Sequence, residues 1–136
     1  MGLFDPSVNF EKEQKMLEKN NPYNGLFCSV KFSFSNILIK RTIFRIAEKG
    51  VVIAQGNDDD TDMRIPWNEM ENCGWHDEAV LYPIESPCLN INLLNGGTIT
   101  VDIDIGFTSR GKLIHLLRGI ARIIESNMGN EENLDD

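Results

Sequence analysis

A chain of 136 residues, 41% hydrophobic and 25% charged, has the size and composition of one globular domain able to bury about two-thirds of the surface its unfolded form exposes. Its net charge of -8 arises from 21 acids against 13 bases, and eight acids stand in two runs: Asp58, Asp59, Asp60 and Asp62, and Glu131, Glu132, Asp135 and Asp136. The remainder is balanced, which argues against a nucleic-acid-binding surface, and no apolar run is long enough to span a bilayer.

Cys28, Cys73 and Cys88 are odd in number and lack a CxxC pair, so they predict neither a disulfide framework nor a zinc site. Reduced, partly buried thiols suit a cytoplasmic setting. The first residues lack the basic and apolar regions of a signal peptide. Pro6 stands where a myristoylation motif calls for Ser or Thr, so a plain flexible start is expected.

Ser7 is placed to cap a surface helix over 8–20, which the run from Asn20 to Gly25 ends. From Leu26 the period becomes two: Cys28, Val30, Phe32 and Phe34 face one way, and Ser29, Lys31, Ser33 and Ser35 the other. Residues 37–46 are a second strand, Glu48-Lys49-Gly50 a hairpin turn, and 51–54 its return. A polar loop over 55–62 leads to an extended segment at 63–67, where Pro66 disfavours helix in the residue before it. Short strands are expected at 73–75 and 79–82. Leu89, Ile91 and Leu93, then Ile99, Val101, Ile103 and Ile105, alternate with polar residues around an Asn95-Gly96-Gly97 turn, a strong hairpin signal.

Thr108 or Ser109 caps a helix over 110–126, in which Leu113, Leu116, Leu117, Ile120, Ala121 and Ile124 form one apolar face. Gly119 in its interior suggests a close approach to the sheet, and Met128-Gly129 is the expected stop. The pattern predicts an α+β domain with six or seven antiparallel strands, covered on the apolar face by the C-terminal helix.

Three segments resemble the pleckstrin-homology-like (PH-like) domain in its small bacterial versions. Thr42-Ile43-Phe44-Arg45-Ile46-Ala47-Glu48-Lys49-Gly50-Val51-Val52-Ile53-Ala54 is similar to the family's strand, short turn and strand. Ile65-Pro66-Trp67-Asn68-Glu69-Met70 looks like its Ile-Pro-aromatic strand start. The hairpin over 89–105 followed by the helical stripe over 113–124 looks like its last hairpin and cap. The resemblance implies a β-barrel of two nearly orthogonal sheets over 26–127, preceded by a helix and linker over 1–25 and followed by an acidic disordered tail over 128–136. Lipid-binding members carry bases around the first hairpin, which maps onto Lys40, Arg41 and Arg45. The acidic loop would repel anionic headgroups, so a membrane is not the expected partner.

Asp58, Asp60, Asp62 and Glu69 stand at positions 1, 3, 5 and 12 of a calcium loop, but Met63 occupies the place of its essential glycine. A solvated loop is the plainer reading. Asp102 and Asp104 share one strand face. His76 and His115 have no nucleophile motif near them. Trp67, Trp75, Arg118 and Arg122 are candidates for partner contact, with core packing and an ordinary polar face as the competing readings. No catalytic set and no cofactor is expected. The preferred function is a non-enzymatic module of a bacterium or phage that recognises a protein or peptide through an edge strand or the groove beside the last helix, with homo-oligomerisation open. The alternatives are cation binding by the acidic loop and weak peripheral binding to anionic lipid.

Overall fold

The computed structural model describes residues 23–33, 35, 37–55, 62–81, 83–106 and 108–134. The helix expected over 8–20 lies outside the described residues. So do Phe34, Tyr82, Phe107, most of the acidic loop and the last two residues.

Seven strands form one antiparallel sheet: β1 (Leu26–Phe32), β2 (Leu38–Ile46), β3 (Gly50–Ala54), β4 (Met63–Pro66), β5 (Met70–Glu78), β6 (Ser86–Leu93) and β7 (Thr98–Asp104). Trp67–Glu69 form a single 3-10 turn between β4 and β5, and helix α1 (Arg110–Leu134) follows β7. The strand order is β4-β3-β2-β1-β7-β6-β5, so β1 and β7 are central neighbours and β4 and β5 are the edges.

Alternation decides what is inside. Cys28, Val30 and Phe32 from β1, Phe44 and Ile46 from β2, Val51 and Ile53 from β3, Leu89 and Ile91 from β6, and Ile99, Val101 and Ile103 from β7 share one buried cluster. Leu117, Ile120, Ala121 and Ile124 of α1 close it, with Leu113, Leu116, Ile123 and Met128 packed at the margin. Complete burial of each such Leu or Ile contributes about 1.5–3 kcal/mol, so this stripe is the main attachment of helix to sheet.

Local chemistry fixes the turns. Asn95 Oδ1 accepts from Gly97 N at 2.8 Å, and Gly96 takes φ +93°, where a side chain would be strained. Ser109 opens α1: its Oγ accepts from Lys112 N at 3.2 Å and its carbonyl from Leu113 N at 3.1 Å. In β2 a bulge sets Lys40 and Arg41 opposite Ser29 and puts Arg41 at φ 60°. Thr42 then turns inward, donating to the Cys28 carbonyl at 2.9 Å. Polar rungs cross the outer face, where Thr100 Oγ1 donates to Asn90 Oδ1 at 3.1 Å and Thr98 Oγ1 to Asn92 Oδ1 at 2.8 Å.

Four expectations need correction. Strand β5 spans Met70–Glu78 as one element rather than a short piece at 73–75, and the described residues of 79–82 are loop. At Gly119 the three nearest atoms to a Cβ belong not to a strand but to the Tyr23 ring and hydroxyl, just upstream of β1. Gly129 does not stop α1, which continues to Leu134, because glycine in a helix costs about 1 kcal/mol without forbidding the conformation. Trp67 leaves the extended conformation to enter the 3-10 turn.

Candidate functional site

The two edges differ. β4 has four residues and ends on Pro66, which has no N–H to offer, so it is a poor template for a further strand. β5 has nine residues, and no described strand pairs with its outer side. A bulge at Glu71 between Met70 and Asn72 sets its phase: Met70, Cys73, Trp75 and Asp77 face inward or toward α1, while Asn72, Gly74, His76 and Glu78 face out.

Helix α1 packs on β5 and runs antiparallel to it, since Arg110 meets the end of β5 and Glu125 lies close enough to Cys73 to disfavour its thiolate. Arg110 makes a two-pronged bond to Asp77, Nη1 to Oδ1 and Nη2 to Oδ2, each 2.8 Å, with its guanidinium carbon 5.8 Å from the centre of the Trp75 ring. The Arg110 hydrogen bonds hold the Asp77 carboxyl below its ordinary pKa. Trp75 is half-buried and packs against the core cluster. Arg118 and Arg122 are exposed one turn apart on α1. Trp67 is different: only 3% exposed, it donates Nε1–H to the Glu48 carbonyl at 2.9 Å and ties the β2–β3 turn to the start of β5. A buried indole offers no surface to a partner.

Of the four residues at calcium-loop spacing, only Asp62 and Glu69 are described. Asp58 and Asp60 lie outside the described residues. Asp62 Oδ1 accepts from Gln55 N at 3.1 Å and closes the base of the loop. Glu69 follows β4, so four extended residues, about 13 Å of strand, separate it from Asp62. Among the described residues no three His, Cys, Asp or Glu side chains are arranged to hold a metal ion. Lys40, Arg41 and Arg45 are all exposed on β2, where the bulge turns the first two outward together. No described helix is long and apolar enough to cross a membrane.

The register aligns His76, Cys88 and Asp102 in one row across β5, β6 and β7, residue types shared with thiol hydrolases. The geometry does not support that chemistry. Burial pushes the Cys88 thiol up to about 12, and its Sγ points at the Ser86 carbonyl, 3.4 Å away, rather than at the imidazole. His76 Nδ1 lies 3.3 Å from the Asp77 carbonyl and 3.4 Å from Glu78 Oε1. Cys28, raised to about 11, and Cys73, raised to about 12, are buried and equally inert. The described residues lining an open depression of about 400 Å³, Ser33, Asn95, Gly96 and Gly97, include none that is charged or aromatic.

The Trp75–Arg110–Asp77 cluster has no sequence signature, because its members are 33 and 35 residues apart and meet only when α1 folds back along β5. A scan against protein-family models and a search of curated proteins each find no match for this chain.

Proposed function

We propose that the chain is a non-enzymatic binding module that recognises a protein or peptide by adding an extended segment to the free edge of β5, beside α1. The observation that carries this reading is the asymmetry of the sheet, with one edge short and ending in proline and the other nine residues long with no described strand on its outer side. Main-chain bonds to β5 supply affinity. Trp75, held by Arg110, offers an aromatic platform for one partner side chain, and Arg118 and Arg122 favour acidic residues along the helix side.

The same reading takes the fold as PH-like, a sheet curved into two nearly orthogonal halves with the C-terminal helix over the opening. The strand order and the packing of α1 on β5, β6 and the 3-10 turn support it.

Selection of a displayed random-peptide library on the immobilised chain is the test. Selected peptides should lose at least about tenfold in affinity for Trp75→Ala and for Arg118→Glu, and should slow amide exchange along β5. Failure to enrich any peptide, or peptides that bind both variants as well as the parent, would rule the site out.

A further inference from the structure

The sheet is divided by charge. Strands β1 to β4 carry Lys31, Lys40, Arg41, Arg45 and Arg64 and no acid, whereas β5 to β7 carry Glu71, Asp77, Glu78, Asp102 and Asp104 and neither lysine nor arginine. The boundary falls between β1 and β7, in the middle of the sheet. On the outer face it is marked by Phe27, which is 65% exposed and pairs with Ile43 of β2 on one side and Asp104 of β7 on the other. A phenyl ring so exposed at the centre of a sheet face calls for a cover.

Among the described residues, Lys40, Arg41 and Arg45 make no ion pair. Among the described residues Asp104 accepts from Gly106 N, at 2.9 Å, and neither it nor Asp102, whose carboxyl is raised by burial and by Asp104 beside it, makes an ion pair. Asp77 is already taken by Arg110.

A face with a cationic half, an anionic half and an exposed aromatic ring on the line between them is complementary to itself. Two copies related by a two-fold axis lying in the interface along β1 place the cationic half of each over the anionic half of the other, with the two Phe27 rings meeting at the centre. An axis across the strands would set like charges together. We propose that the chain forms an isologous dimer through the outer face of β2, β1 and β7, with Phe27 at the centre and Arg41 and Arg45 of each copy facing Asp102 and Asp104 of the other. The edge of β5 and the outer side of α1 stay free, so this interface stands apart from the peptide site.

Sedimentation equilibrium of the whole chain at tens of micromolar should read a dimer that weakens as salt rises. Arg45→Glu alone and Asp104→Lys alone each create a like-charge contact and should raise the dissociation constant at least about tenfold. An equal mixture of the two variants should recover a dimer, because an anionic face then meets a cationic one, and the double variant should dimerise by itself. Phe27→Ser should weaken the dimer without changing charge, and thermal melts confirm that each variant is folded. A parent chain monomeric at about 100 µM, a dimer indifferent to both charge reversals, or a mixture that stays monomeric overturns the proposal. Parent chain that remains monomeric and sediments with phosphatidylserine vesicles overturns it equally, and assigns the cationic half to a lipid surface.

Discussion

Gly50 opens β3 where it approaches β4 most closely. It pairs with Pro66, and a Cβ placed on it would stand 2.8 Å from both the Ile65 carbonyl carbon and the Pro66 Cα, and nearer still to the Ile65 oxygen. All three are main-chain atoms, so no rotamer change relieves the overlap. Ordinary contact begins at 3.4 Å, so the two strands must part by more than half an ångström. Overpacking of this kind costs about 1–3 kcal/mol. The same displacement pulls on two bonds that anchor the following corner, Trp67 N to the Lys49 carbonyl at 3.1 Å and Trp67 Nε1 to the Glu48 carbonyl at 2.9 Å. Each contributes about 1 kcal/mol. Local propensity points the other way, since alanine is favoured over glycine in a strand by about 0.5–1 kcal/mol. We expect Gly50→Ala to lose about 2–4 kcal/mol, read as a lower urea midpoint in tryptophan fluorescence. Gly74→Ala on β5 is the control: nothing lies within 4 Å of its Cβ, so the strand propensity is unopposed and stability should rise by about 0.5–1 kcal/mol. If both substitutions give the same midpoint, the close approach of β3 and β4 is wrong.

Other outcomes follow from the same packing. Ile120→Ala empties a fully buried place between α1 and the sheet and should cost about 2–5 kcal/mol, read by the same urea titration. Gly119→Ala gains about 1 kcal/mol of helix propensity but presses on the Tyr23 ring, so the net change should be small; in a Tyr23→Ala background the full gain should appear. Burial raises the folded-state pKa of Cys28, Cys73 and Cys88 above the ordinary 9.0, so their contribution to stability is whole below pH 9 and falls as pH climbs toward 12. Urea midpoints measured across that range should decline, and a triple Cys→Ser variant should flatten the decline. Asp77, whose pKa is lowered by Arg110, has the opposite sign: its contribution is present at neutral pH and is lost on acidification below its ordinary 3.8, a step that Asp77→Asn should remove.

How much could be read in advance depended on where each element lies. The β6–β7 hairpin was plain because both strands have one buried and one polar face, so Leu89, Ile91, Ile99, Val101 and Ile103 alternate without interruption. β5 was hidden because the extra residue at Glu71 shifts the register, so its inward residues Met70, Cys73 and Trp75 are spaced three and then two apart. The apolar run just after it imitates a strand, yet Leu81 and Ile84 are exposed in the loop that joins β5 to β6. The helical stripe was legible, but Gly129 could not mark the end, since only its surroundings decide whether a glycine stops a helix. Arg118 and Arg122 could be placed on the outer side of α1 from spacing alone. The Arg110 bridge to Asp77 and Trp75 could not, because sequence shows neither the direction in which α1 returns nor the strand it returns along. Likewise, the division of charge becomes visible only once the strand order sets β1 beside β7.

Amide hydrogen exchange of the free protein in β5 is the most direct measurement of whether that edge is open. In an antiparallel edge strand only alternate N–H groups bond to the neighbour, so exchange along Met70–Glu78 should be slow and fast in turn, against uniform protection in central β1 and β7. Slow exchange at every residue of β5 would mean that its outer side is already covered, and would contradict recognition by strand addition there.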